Sequence, residues 1–154
     1  MPVARVVEIA RRVAEDQPAE ICLADTIGVA VPAEVTELVG RVRDAVPGIA
    51  LRCHFHNTRN TGYANALAAI AAGVETLDAS IGGVGGCPFA PGATGNIASE
   101  DLLYLLERSG WSTGISLAAM IETAQWLELQ LGHKVPGLLS KAGPFPRAAA
   151  HGAP

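Results

Sequence analysis

Cationic residues are in short supply, cysteines are few, and no apolar run is long. The 154-residue chain carries 11 Lys+Arg against 15 Asp+Glu, a formal net charge of -4. There is no surplus of cations to neutralise phosphates, so no nucleic-acid partner is expected. Gly, Asp or His interrupts every apolar stretch well before the roughly 18 residues of a membrane span, so no membrane partner is expected either. The N-terminal stretch from Met1 to Gln17 has no apolar h-region and no cleavage site, and no secretory signal is read there. Three cysteines, Cys22, Cys53 and Cys87, are too few and odd in number for a disulfide scaffold. A reducing, cytoplasmic setting is therefore the expectation. What the chain does hold is 49% hydrophobic residues, 17 Gly and 10 Pro. That is enough apolar material to fold one domain, and it excludes disorder for the body of the chain.

Periodicity divides the chain into alternating elements. Val3, Val6, Val7, Ala10, Val13 and Ala14 share one face of a helix over 3–16, which Pro18 stops. Ile21 to Ala24 is an unbroken apolar run ending in Asp25, read as a strand buried on both faces. Pro32 opens a second helix with Val35, Leu38, Val39, Val42 and Val46 inward. A second strand runs from Ile49 to His56, a third helix over 59–72, capped by Gly73, and a third strand from Glu75 to Ile81. A glycine-dense loop follows. Ser99 is placed as the N-cap of the next helix, with Glu100 and Asp101 complementing its dipole. Ser116 begins a last helix, with Leu117, Met120, Ile121, Ala124, Leu127 and Leu131 inward. The domain is drawn over 1–135, and 136–154 is expected to be a disordered tail.

Strand starts recur every 25–30 residues, each followed by a helix, which is the βα repeat of a parallel α/β protein. Three clear strands cannot close a (β/α)8 barrel, which takes about 250 residues. The pattern fits either a small open sheet or part of a larger barrel.

Chemistry-bearing residues gather at the carboxyl ends of these strands, the edge where parallel α/β folds build their sites. His54 and His56 fall on the same side of one strand, about 7 Å apart along it, and can converge on one metal ion. Alone, the pair reads first as two hydrogen-bonded polar residues at a strand end. Asp25 ends the preceding strand. It reads as a turn or capping aspartate, or, beside two histidines, as a ligand, a partner behind a ligand or a general base. Gly85, Gly86 and Gly95 belong to a loop whose backbone N–H groups can receive a phosphate or a developing oxyanion, and they are the candidate substrate-binding residues. No nucleotide fingerprint is present. Cys87 lies in that loop, where a thiol can titrate or donate a proton, whereas Cys22 and Cys53 read as core residues. Asn96 is a turn residue or an oxygen donor. Two His, an Asn and a carboxylate, with no thiolate, suit Mg²⁺ or Mn²⁺, with Zn²⁺ as an alternative.

The segment Gly85-Gly86-Cys87-Pro88-Phe89-Ala90-Pro91-Gly92-Ala93-Thr94-Gly95-Asn96-Ile97-Ala98-Ser99-Glu100-Asp101 resembles the signature loop of the 3-hydroxy-3-methylglutaryl-CoA lyase family, among the metal-dependent pyruvate-carboxyltransferase-type barrels. Ala24-Asp25-Thr26-Ile27-Gly28 and His54-Phe55-His56-Asn57-Thr58 resemble two further motifs of that family, in order. The resemblance spans roughly residues 1–135. It implies the C-terminal part of a TIM (β/α)8 barrel, about three βα units plus terminal helices. It also implies a carbon–carbon lyase of the kind used in leucine degradation, splitting a 3-hydroxy-3-methylglutaryl-CoA-like thioester into acetyl-CoA and acetoacetate or a related keto acid. On that resemblance His54, His56 and Asn96 are metal ligands, Cys87 handles a proton and Asp25 is a catalytic acid/base.

Two departures stand out. The family's first-strand Arg-Asp-Gly motif, with a ligating aspartate and a catalytic arginine, is absent, as is an early-strand glutamate. An acyl-CoA substrate is therefore expected to need an N-terminal half-barrel or a homo-oligomer, and the chain alone is expected to be incomplete. In addition, Asn57-Thr58-Arg59-Asn60-Thr61-Gly62-Tyr63 departs from the lyase pattern after the histidines, where an acidic residue is usual, which bears on the acyl group though not on the reaction class. The alternatives are a Claisen-type acyltransferase resembling isopropylmalate synthase, or a non-catalytic association module pairing through exposed sheet edges.

Overall fold

The computed structural model describes residues 1–85 and 95–144. They form two compact units, Met1–Ser80 with Gly85–Ile97, and Ile81–Val84 with the chain from Ala98 onward.

The first unit holds α1 (Val3–Ala14), β1 (Glu20–Asp25), α2 (Pro32–Ala45), β2 (Ala50–Phe55), α3 (Gly62–Ala71) and β3 (Thr76–Asp78). The strands form a parallel sheet in the order β1-β2-β3. Helix α2 starts at Pro32, whose fixed φ suits a first turn, and Glu34 accepts the Val31 N–H at 3.3 Å. Arg43 near the end of α2 donates to Ala72 O at the end of α3, putting positive charge on a helix C-terminus. Gly73 follows with φ +94°, a conformation that costs a glycine little.

The core lies between the helices and one face of the sheet. Val35, Val39 and Val42 of α2, Ala66 and Ala69 of α3, and Ile21, Leu23, Leu51, Cys53 and Phe55 of the strands are all buried. Strand β1 is not buried on both faces, as its apolar run suggests: Cys22 and Ala24 are exposed. Alternation sends them to the face that no described helix of this unit covers, so Cys22 is not a core residue. The third strand is shorter than expected, spanning Thr76–Asp78 only.

The second unit contains a 3₁₀ turn (Ile81–Gly83), α4 (Ser99–Arg108), α5 (Leu117–Leu131) and α6 (Leu139–Ala142). Ser116 caps α5 as expected, accepting the Ala119 N–H at 3.3 Å. Ser99 does not cap α4; Ala98 holds that position. Glu100 and Asp101 do more than complement a dipole. Buried Glu100 accepts the Gly82 N–H at 3.0 Å, and burial pushes its carboxyl above the usual value. Asp101 accepts the N–H groups of Leu138 and Leu139 at 2.9 and 2.8 Å.

The expected tail is therefore structured in its first part. Gly137 donates to Gly82 O at 2.8 Å, Ser140 is buried, and α6 lies within the segment. A tail read from composition alone misses the backbone groups that Asp101 and Gly82 satisfy. Residues 145–154 lie outside the described residues. Among the described residues no helix is long and apolar enough to cross a membrane.

Ile97 is fully buried, and a Cβ at Gly62 would lie 2.5 Å from its Cγ2. Ile97→Ala should lower unfolding free energy by about 2–5 kcal/mol, read from urea denaturation. A loss under about 0.5 kcal/mol, the range of surface substitutions, would show that this residue does not key the segment to the sheet.

Candidate metal and active site

Asp25, His54 and His56 sit at the carboxyl ends of their strands. Asp25 ends β1 and lies in register with Phe55, the last residue of β2. Its two carboxylate oxygens accept the Val29 and Ala30 N–H groups, each at 3.0 Å. Asp25 thus closes its own loop while each oxygen keeps a lone pair. Its field also reaches His56, whose proton it favours.

Two side chains grip the same loop from outside. Arg59 donates to Ile27 O at 3.1 Å and Gly28 O at 2.9 Å, and fully buried Asn65 donates to Ala30 O at 2.8 Å. Gly28 has φ +63°, and a Cβ there would meet Thr58 Oγ1 at 2.7 Å. The loops after β1 and β2 are consequently locked together. Neither Arg59 nor Asn65 is singled out by the sequence, since an arginine in a loop and an asparagine in a helix carry no pattern.

His54 and His56 project together, with ring centroids 5.1 Å apart and an interplanar angle of 68°. His54 is half-buried, and its Nδ1 lies 3.9 Å from Asp78 Oδ2. His56 is buried, and its Nδ1 has no hydrogen-bond partner. Burial first, then the neighbouring His54 charge, push the His56 pKa below its usual value, so the ring is neutral and its nitrogens can act as donors to a cation.

Asn96 arrives from the far side of the glycine loop. It pairs with His56 in an antiparallel bridge. Three backbone hydrogen bonds fix this crossing: Asn57 N–H to Gly95 O at 3.1 Å, Ile97 N–H to Phe55 O at 3.3 Å, and Ser80 N–H to Ile97 O at 3.1 Å. Gly95 holds φ +113°, and a Cβ at Gly85 would collide with Asn96 Nδ2. Both glycines are required by the backbone and by Asn96. Cys87 and Gly86 lie outside the described residues.

The donor set fits a divalent cation in part. A buried imidazole nitrogen without a partner, a second imidazole beside it and the adjacent carboxamide supply nitrogen and oxygen donors. Among the described residues no group of three or more His, Cys, Asp or Glu could hold a metal ion. A hard cation takes carboxylate oxygens as well, so the set leaves room for further ligands. Asn57 is accounted for locally: its Oδ1 accepts the Gly62 N–H at 3.1 Å and anchors the start of α3.

Comparison with known proteins identifies the family and the fold. The family described as HMGL-like matches residues 1–127. An (R)-citramalyl-CoA lyase from Chloroflexus aurantiacus is 51% identical over 140 residues, 91% of this chain and 44% of that protein. A hydroxymethylglutaryl-CoA lyase from Pseudomonas mevalonii is 46% identical over 127 residues, 82% of this chain and 42% of its own. The structure of an HMG-CoA lyase from Acenitobacter baumannii in complex with coenzyme A and 3-methylmalate superimposes with TM-score 0.85 at 42% identity, over 92% of this chain and 48% of that one. The chain thus spans less than half the length of these relatives, and its fold is the corresponding part of an HMG-CoA lyase barrel.

The lowered His56 pKa has a consequence for stability. The unfolded chain, with His56 near 6.5, binds a proton that the folded chain resists. Stability should fall as pH drops below about 6.5 and level off below the folded value. His56→Gln should flatten that slope in metal-free buffer, as read from denaturation midpoints between about pH 8 and 5. An unchanged slope would assign the acid sensitivity to another group.

Proposed function

Because the chain belongs to the HMGL-like family, we propose that it forms part of a divalent-metal-dependent carbon–carbon lyase acting on a 3-hydroxyacyl-CoA. The observation that carries this reading is the pair His54 and His56 at the end of β2, with Asn96 bridged to His56. When bound, Mg²⁺ or Mn²⁺ would supply Lewis acidity toward the oxygens of the substrate. His54, His56 and Asn96 would hold the ion. Asp25, fixed by the Val29 and Ala30 N–H groups, would take the substrate's hydroxyl proton. As the carbonyl forms, the adjacent C–C bond breaks and its electron pair passes into the thioester enolate. Cys87, on the sequence's loop, would return a proton to that enolate carbon.

The substrate in this reading is 3-hydroxy-3-methylglutaryl-CoA, giving acetyl-CoA and acetoacetate. A second reading is favoured by the 51% identity to a citramalyl-CoA lyase. Cleavage of that thioester by the same steps would give acetyl-CoA and pyruvate. The remaining ligands and charged groups would come from strands beyond β1–β3, in a longer polypeptide or a partner subunit. A cytoplasmic setting and, for the first substrate, a role in leucine degradation complete the proposal.

The test is direct. The full chain, alone and together with an N-terminal half-barrel from a relative, is supplied with each acyl-CoA and Mn²⁺, and acetyl-CoA is measured. Activity is expected only in the combination. His54→Ala or His56→Ala should then cost about 10²-fold or more in kcat/KM, the scale of losing one electrostatic stabiliser of developing charge. Cys87→Ser should fall similarly, with bound Mn²⁺ retained. Wild-type rates in the histidine variants would overturn the metal assignment. Wild-type rates in Cys87→Ser would remove the thiol from the mechanism.

A further inference from the structure

One ionic arrangement beside the site is used by none of these steps. On the sheet face that carries the histidines, Arg52 lies two residues before His54 on β2. Its Nε donates to Glu20 Oε2 on β1 at 2.6 Å, and its Nη1 donates to Asp78 Oδ1 on β3 at 3.1 Å. The other oxygen of Asp78, Oδ2, faces His54 Nδ1 at 3.9 Å. Register explains the placement: His54 and Asp78 are direct Cα partners in the parallel β2–β3 ladder. The ladder therefore crosses all three strands and ends on an imidazole.

We propose that Asp78 is a positioning residue for His54, fixing the ring's tautomer and orientation while Arg52 holds its other oxygen in place. This rests on His54 being a metal ligand. The two oxygens of Asp78 are unequal: one is taken by a planar guanidinium, and the other is turned to the imidazole. Neutralising Arg52 needs a single carboxylate, and Glu20 supplies it at the shorter distance. A second carboxylate aimed at Nδ1 is what a ligating histidine requires, because a proton held on Nδ1 leaves the Nε2 lone pair for the ion. The groups facing Asp78 are Arg52 from β2 and the His54 ring; Cys22 of β1 also feels its charge, since Asp78 helps push that thiol's pKa up after burial does. All four side chains are part-exposed or exposed, so conservative changes are tolerable to the fold.

The experiment uses the full chain and two independent readouts. Long-range ¹H–¹⁵N NMR at about pH 8.5, where an ordinary imidazole is neutral, reports the His54 tautomer without metal. Wild type should carry the proton on Nδ1, and Asp78→Asn and Asp78→Ala should both move it toward Nε2. Mn²⁺ binding, followed by water-proton relaxation, should weaken about 10–100-fold in both variants, the usual cost of removing a carboxylate behind a ligating histidine. Glu20→Gln is the control. It breaks the far end of the ladder and should change affinity less than about threefold, whereas a merely structural ladder would make Glu20→Gln and Asp78→Asn equal. If Mn²⁺ binds and neither tautomer nor affinity changes in the Asp78 variants, the positioning role is overturned and the metal site stands. If the tautomer shifts as expected but wild type binds no Mn²⁺ even with a complementing half-barrel, the metal site is overturned and the orientation of His54 by Asp78 stands.

Discussion

Pairing β2 between two parallel neighbours forces its successive side chains to opposite faces, and the site inherits its geometry from that alternation. Leu51, Cys53 and Phe55 go to the helices, where all three are buried. Burial is deep enough to push the Cys53 thiol up to about 12, which makes it inert. Arg52 and His54, and His56 just beyond the strand, go to the other face. A one-residue slip of register would exchange the two sets, placing two imidazoles and a guanidinium among valines. The apolar core and the candidate metal site therefore specify the same register from opposite sides of one strand.

The loops at the carboxyl edge are held by polar side chains rather than apolar packing. Asp25 satisfies two N–H groups of its loop, Arg59 and Asn65 satisfy its carbonyls, and Asn57 starts the next helix. Each of these backbone groups would otherwise face solvent in a segment that must keep one shape. Such a network costs side-chain entropy but fixes position, and catalysis depends on position.

The elements that periodicity defines are the ones the sequence reveals best. Helices α1, α2 and α5 and strand β2 fall close to where apolar spacing places them, because each buries a face large enough to leave a pattern. The histidine pair is legible for the same reason: a spacing of two on a strand is a geometric statement. What is not legible depends on partners distant in sequence. Cys22 is exposed because of what does not cover β1, and a single strand's composition cannot report that. Glu100 and Asp101 look like dipole complements until Gly82 and Leu138 meet them from 18 and 37 residues away. Asp78 gives no signal in a short strand, and acquires meaning only when the register sets it opposite His54.

Asn57 shows how a departure from a family pattern can be local in cause. Read as sequence, the departure that begins at Asn57, beside two candidate ligands, leaves the acyl group open. In the structure the Asn57 oxygen accepts the Gly62 N–H, its own N–H is spent on Gly95 O, and its side-chain amide reaches Asn60 Oδ1 at 3.4 Å. An aspartate would accept the same Gly62 bond but could not donate to Asn60, whose φ of +57° marks a tight turn. The amide therefore belongs with the turn it donates to. Arg59, differing in kind from its neighbours but tied to the carbonyls of Ile27 and Gly28, shapes the β1 loop instead of meeting the substrate through those bonds.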